Sequence, residues 1–124
     1  DATFYDGVVD GSGFEILSLN ALEISHKNGE DRHRSELCTL YIRENSNQFK
    51  IEKPIPLEEL VRNDLRLTVD NPEDLVVCRK LYSEFKHYSP RIPVLELVKY
   101  LDKNPSLKQL VYPLTESGYK TMYL

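Results

Sequence analysis

The chain has 124 residues, of which 40% are hydrophobic and 29% charged, and its formal net charge at pH 7 is −4. That length suits one domain, or part of one, with a sizeable core, and the acidic balance argues against nucleic acid or an anionic membrane surface as the main partner. No apolar run approaches the roughly 20 residues of a bilayer span, and the N-terminus lacks a signal-peptide pattern, so a cytoplasmic protein with no membrane partner is expected.

The chain opens on a glycine- and aspartate-rich segment, Asp6-Gly7-Val8-Val9-Asp10-Gly11-Ser12-Gly13. Its glycines permit tight turns and close approach of the backbone to a ligand, but they fit no phosphate-cradling template. Phe14, Ile16 and Leu17 suggest a short buried strand carrying Glu15, a carboxylate either at a solvated edge or facing a cleft. Ser18 is a natural cap for a helix to about Lys27, ended by Asn28-Gly29, with Leu19, Leu22 and His26 in one stripe flanked by Ala21 and Ile24. A second helix is expected from Ser35 to Asn45, faced by Leu37, Leu40 and Tyr41. Before it, Arg32, His33 and Arg34 form an anion site only if they face a cleft, and three adjacent residues cannot all face one way.

Phe49 to Lys53 alternates like an edge strand, and Leu57 to Val61 reads as a helical turn. Leu65, Leu67 and Val69 alternate with Arg66 and Thr68, the period-2 pattern of a half-buried strand that ends at Asp70. Asn71 can cap the helix that follows, Pro72 suits its first position, and Glu73 and Asp74 favour the positive end of its dipole. That helix is expected to run to Phe85 or Lys86, with Leu75, Cys78, Tyr82 and Phe85 on one face and Leu81 beside them. Ser89 to Pro93 is a linker, Val94 starts a helix that Asn104-Pro105 closes, and the tail from Tyr112 has no clear period. Cys38 and Cys78 lie in helical patterns without a CxxC spacing, so buried, reduced thiols are expected.

Candidate chemistry narrows to carboxylates. The sequence contains no HExxH, GxSxG or Walker loop, and its three histidines lack ligand-like pairing, which argues against a zinc site. A hard metal such as magnesium needs only one or two carboxylates besides phosphate oxygens, so Asp70, with Glu15 or Asp10, is a sensible candidate. The alternative for Asp70 is a simple turn residue, since Asp is common at such junctions.

The stretch Leu65-Arg66-Leu67-Thr68-Val69-Asp70-Asn71-Pro72-Glu73-Asp74-Leu75, continuing to Tyr82, resembles the C-terminal region of cytidylyltransferases that activate acidic sugars. The group in question is the spore-coat polysaccharide biosynthesis protein F family, related to acylneuraminate cytidylyltransferases. Gly11 to Ser18 looks like that family's glycine–hydrophobic–Glu strand leading into a helix, Ser35 to Ile42 like its Arg-Glu-His-Val-Thr helix, and Ile92 to Leu107 like its closing helix. The resemblance implies an α/β class: the C-terminal part of a glycosyltransferase-A-like (nucleotide-diphospho-sugar transferase) three-layer fold, with short strands and about four helices. It implies CTP and an acidic sugar as partners, transfer of CMP, Mg²⁺ bound by Asp70, and substrate contacts from Gly11 and Glu15. Two departures stand out. Ser35 and Leu37 replace the family's Arg and His, and the family's N-terminal half, with its nucleotide loop and second metal-binding Asp, has no counterpart in these residues. A chain with this half-site alone is expected to bind CTP poorly and to be inactive. The competing reading is a non-catalytic dimerisation or interaction module, a homodimer meeting through Leu95, Leu97, Val98 and Leu101.

Overall fold

Two separate hydrophobic clusters organise the chain, and each belongs to its own compact unit. A computed structural model describes the backbone of residues 1–122 and the side chains of residues 1–116. The first unit comprises residues 1–6 and 14–55, the second residues 7–13 and 56–124.

In the first unit, strand β1 (Ala2–Tyr5) lies between β2 (Phe14–Leu17), its antiparallel neighbour, and β3 (Ile51–Glu52), which runs parallel to it. The register pairs Phe4 with Glu15 and Thr3 with Ile16, so Glu15 shares the inner face with the buried Phe4. Phe14 and Ile16 stand on the other face, 50% and 60% exposed. The expected buried strand is therefore an edge strand with its apolar side outward, and Tyr5 stacks on Phe14 there at 5.1 Å.

Helix α1 (Leu19–Asn28) begins as its sequence requires, with the Ser18 hydroxyl accepting from the Ala21 N–H at 3.1 Å, and it ends at Gly29. Its buried face is Ala21 and Ser25, whereas Leu19 is 72% exposed. The stripe of Leu19, Leu22 and His26 is thus not the packed one. Of the helix expected from Ser35, only α2 (Leu40–Glu44) forms, and Tyr41 and Ile42 join Phe4, Ala21 and Phe49 in the core. Cys38, just ahead of it, is exposed rather than buried, and both cysteines are free thiols.

The second unit is helical. Helix α3 (Pro72–Phe85) is capped as expected: the Asn71 side chain receives a backbone N–H while the Asp74 carboxylate returns a bond to the Asn71 N–H. Its buried face is Asp74, Val77 and Leu81, which leaves Leu75 and Tyr82 exposed, so the inward side is rotated from the expected stripe. Helix α4 (Val94–Lys103) turns Val98 and Leu101 into the core beside Val77, Leu81 and Val111, with Leu97 packed against them. Of the four residues expected to meet a second copy, Val98 and Leu101 are buried in the unit's own core, Leu97 packs against it, and Leu95 is half-buried. Helix α5 (Pro105–Met122) continues through Pro113, where a loop was expected; Tyr123 and Leu124 lie outside the described residues. The Thr115 hydroxyl donates to the Tyr112 carbonyl at 2.7 Å beside that proline. Arg62 binds Asp64 and Asp102, and Lys108 also pairs with Asp64, so ion pairs tie the start of the unit to α4 and α5.

Leu101 is 1% exposed in this core. Leu101→Ala is expected to cost about 2–5 kcal/mol, the range for leaving a cavity at a packed leucine, read as a lower urea midpoint with an unchanged slope.

Candidate functional site

The extended segment before α3 does not behave as its alternation suggests. Leu65 is buried, but Arg66, expected on the solvent side, is buried too, with a side chain only 3% exposed. The segment forms no strand; it makes a single parallel bridge, Asp10 to Arg66, in which the Leu67 N–H donates to the Asp10 carbonyl at 2.7 Å. A buried guanidinium must find partners for its donors, and here they are carboxylates that propensity could not reveal.

Arg66 Nε and Nη2 bind the two oxygens of Asp74 at 2.8 and 3.1 Å, a fork-to-fork pair. Nη1 donates to Asp10 and to the Leu114 carbonyl, each at 3.3 Å, and Nη2 also reaches Asp70 Oδ2 at 2.6 Å. Asp74 Oδ2 further accepts from the backbone N–H groups of Asp70 and Asn71 and from the Asn71 amide. Burial alone would raise the Asp74 carboxyl, but Arg66 and these N–H donors outweigh it and hold it down at about 2. Asp10 goes the other way: burial, together with the neighbouring charges of Asp70 and Asp74, lifts it above the usual carboxylate range despite Arg66.

Asp70 differs from the other two aspartates because its side chain is 66% exposed. Arg66 and the Thr68 hydroxyl, the latter at 3.3 Å, both bond Oδ2, and no bond from the described residues ends on Oδ1. A carboxylate with one oxygen fixed and the other open can serve as a ligand for a hard cation that brings phosphate oxygens with it. No cluster of three or more His, Cys, Asp or Glu residues suited to a metal occurs among the described residues.

Gly11, the glycine singled out for substrate contact, has φ +84° and lies against the same segment. A Cβ there would sit 2.5 Å from the Thr68 nitrogen and 2.7 Å from the Leu67 carbonyl carbon, so packing within the unit already demands glycine. Glu15, in the other unit, is also engaged. Its Oε1 accepts from the Thr39 hydroxyl at 3.0 Å and from Arg43 Nη2 at 2.5 Å. Arg43 in turn holds Asp6 by a bidentate pair and lies 4.0 Å from the Phe4 ring centroid. In the Arg32–Arg34 run, Arg32 pairs with Glu30 and Glu44, the buried His33 places Nε2 2.9 Å from Glu44, and Arg34 Nη1 lies 3.4 Å from His26 Nδ1. His33 Nδ1 accepts from the Glu30 N–H, which puts the ring proton on Nε2 toward that carboxylate. Arg66 is the residue that sequence reasoning missed, and the signal for it was a cation flanked within eight residues by Asp70 and Asp74.

No family model matches the chain. It is 33% identical over 115 residues to an uncharacterized protein of Methanocaldococcus jannaschii, covering 91% of this chain and 46% of that protein. Among solved structures it is similar to a cytidylyltransferase from Leptospira borgpetersenii serovar Hardjo-bovis, with a TM-score of 0.73 and 26% identity over 87% of this chain and 45% of that one. The chain therefore spans about half the length of the proteins it matches. Its mixed α/β fold, with a small three-stranded sheet and five α-helices, is cytidylyltransferase-like.

Two expected outcomes follow from this geometry. Gly11→Ala forces a positive φ and a backbone clash together, and should lower stability by about 1–3 kcal/mol in thermal melts while Gly7→Ala, with nothing within 4 Å of its Cβ, loses less. Asp74→Asn removes the charge that meets Arg66 and should cost about 1.5–3 kcal/mol near neutral pH. Because the folded Asp74 pKa lies below its ordinary value, its contribution is complete above about pH 4 and disappears as pH falls toward 2. The gap between wild type and Asp74→Asn in urea titrations should accordingly close over that window.

Proposed function

We propose that this chain supplies the Asp70-bearing portion of a CTP-dependent nucleotidyltransferase that forms a CMP-activated acidic sugar for surface polysaccharide synthesis, of the spore-coat polysaccharide biosynthesis protein F and acylneuraminate type. The similarity to a cytidylyltransferase supports the transferase class. The observation that carries the reading further is Asp70: an exposed carboxylate, anchored through one oxygen, at the junction between an extended segment and a helix. Transfer of a nucleotidyl group asks little covalent chemistry of the protein and much positioning and charge neutralisation.

In this reading Asp70 would hold Mg²⁺ through Oδ1, and the ion would supply neutralisation of phosphate charge. The donor set fits, since one hard carboxylate oxygen with phosphate oxygens and water completes an octahedral Mg²⁺ shell. Arg66 and Thr68 keep the carboxylate aimed while leaving that oxygen open. Gly11 shapes the loop behind the segment, and Glu15 acts through its bonds to Thr39 and Arg43.

The test is Asp70→Asn in the whole protein. An asparagine oxygen at this 66% exposed position can still accept from Arg66 Nη2, and Asp74 and Asp10 still pair with the guanidinium, so the melting temperature should change little. Mg²⁺-dependent release of pyrophosphate from CTP and sugar should fall about 100-fold or more, the scale of losing one stabiliser of transition-state charge. Unchanged turnover and Mg²⁺ dependence would remove Asp70 from the site.

A further inference from the structure

We infer that Arg66 is the positioning residue for Asp70, and that its fork, locked by Asp74, sets the direction in which the open Asp70 oxygen presents itself to a divalent cation. The inference rests on the reading of Asp70 as a cation ligand and extends it to the groups behind that ligand.

Three features of the geometry carry it. The guanidinium is buried and cannot swing, because Asp74 grips Nε and Nη2 at 2.8 and 3.1 Å. The Asp74 side chain is itself wholly buried and is fastened to the backbone N–H groups of Asp70 and Asn71. From this fixed base the same Nη2 reaches out 2.6 Å to Asp70 Oδ2, the only one of the three carboxylates that is well exposed. Asp70 is therefore held twice by one unit: its main chain by Asp74 and its side chain by Arg66. A free aspartate samples several rotamers, whereas this one has a bonded oxygen and an open oxygen whose positions are tied to the helix start. Groups that hold a liganding carboxylate through its second oxygen commonly control cation affinity by 10- to 100-fold.

A lysine at position 66 separates the two roles of the arginine. Arg66→Lys keeps the charge, and with it the local field, but three donors on a flexible stem cannot grip Asp74 by both oxygens and reach Asp70 as well. The probe is Mn²⁺ alone, added to ¹⁵N-labelled chain and followed by paramagnetic broadening of amide signals. Wild type should show broadening centred on Asp70 and Asn71. In Arg66→Lys the Mn²⁺ concentration needed for equal broadening should rise at least about tenfold, toward that of Asp70→Asn. Thr68→Val removes the second donor to Oδ2 at the surface and should shift the same titration in the same direction by less, which carries the test if Arg66→Lys loses its dispersed amide spectrum. A folded Arg66→Lys with the wild-type titration, or an unshifted Thr68→Val where Arg66→Lys does not fold, overturns the positioning role and leaves Asp70 as a ligand. Absence of localised broadening in wild type overturns the ligand reading itself, and the positioning role falls with it.

Discussion

Burying Arg66 is the constraint around which the second unit is arranged. A guanidinium withdrawn from water loses several kcal/mol of hydration and is tolerated only where its donors and charge are matched. Asp74, Asp10, Asp70 and the Leu114 carbonyl together provide that match, and they come from three parts of the unit. Asp74 is the third residue of α3, Asp10 sits on the glycine-bearing loop, and Leu114 lies on α5 beyond Pro113. One side chain thus ties together a helix start, a loop and a second helix. The tight approach of Gly11 to Thr68 is part of this arrangement, because the Asp10 carbonyl must reach the Leu67 N–H for the Asp10 side chain to reach Arg66.

The first unit solves a similar problem with Arg43. Its fork takes Asp6, its Nε the Thr39 hydroxyl, and its plane covers the Phe4 ring on the inner face of the sheet. Glu15 belongs to this set because the antiparallel register puts it beside Phe4. The same register sends Phe14 and Ile16 outward, so the polarity of β2 is reversed from what its apolar residues suggest. In both units a buried or half-buried arginine decides which way a short extended segment faces, and the apolar side chains take what orientation is left.

That explains what could and could not be read from the residues. Helix starts at Ser18 and Asn71-Pro72 were legible, because capping is settled within four residues. The cytidylyltransferase-like fold was legible through the order of its motifs, and Asp70 stood out because it sits at a local junction. The faces of α1 and α3 were not legible. In α3 the inward positions include the charged Asp74, so a stripe chosen by hydrophobicity rotates toward Leu75 and Tyr82. Arg66 was misplaced for the same reason: its partner Asp10 lies 56 residues away, and the alternation of Leu65, Leu67 and Val69 carries no trace of it. The tail from Tyr112 shows no period and reads as loop-like or partner-dependent, yet α5 runs on through Pro113 and packs against α3 and α4, contacts that local sequence does not reveal.

The energetics of the Arg66 network also bear on why such a device would stand behind Asp70 if it holds a cation as proposed. Buried ion pairs rarely out-stabilise a well-packed apolar replacement, so stability alone does not account for the network. What apolar side chains cannot do is hold a solvent-facing carboxylate by one oxygen. An aspartate on a loose turn would have to be ordered when its cation arrives, at a cost in affinity, whereas here the ordering is completed as the helix is capped and the arginine is enclosed. The capping of α3 and the placing of Asp70 then depend on the same side chain, since Asp74 both caps the helix and grips the arginine that holds Asp70.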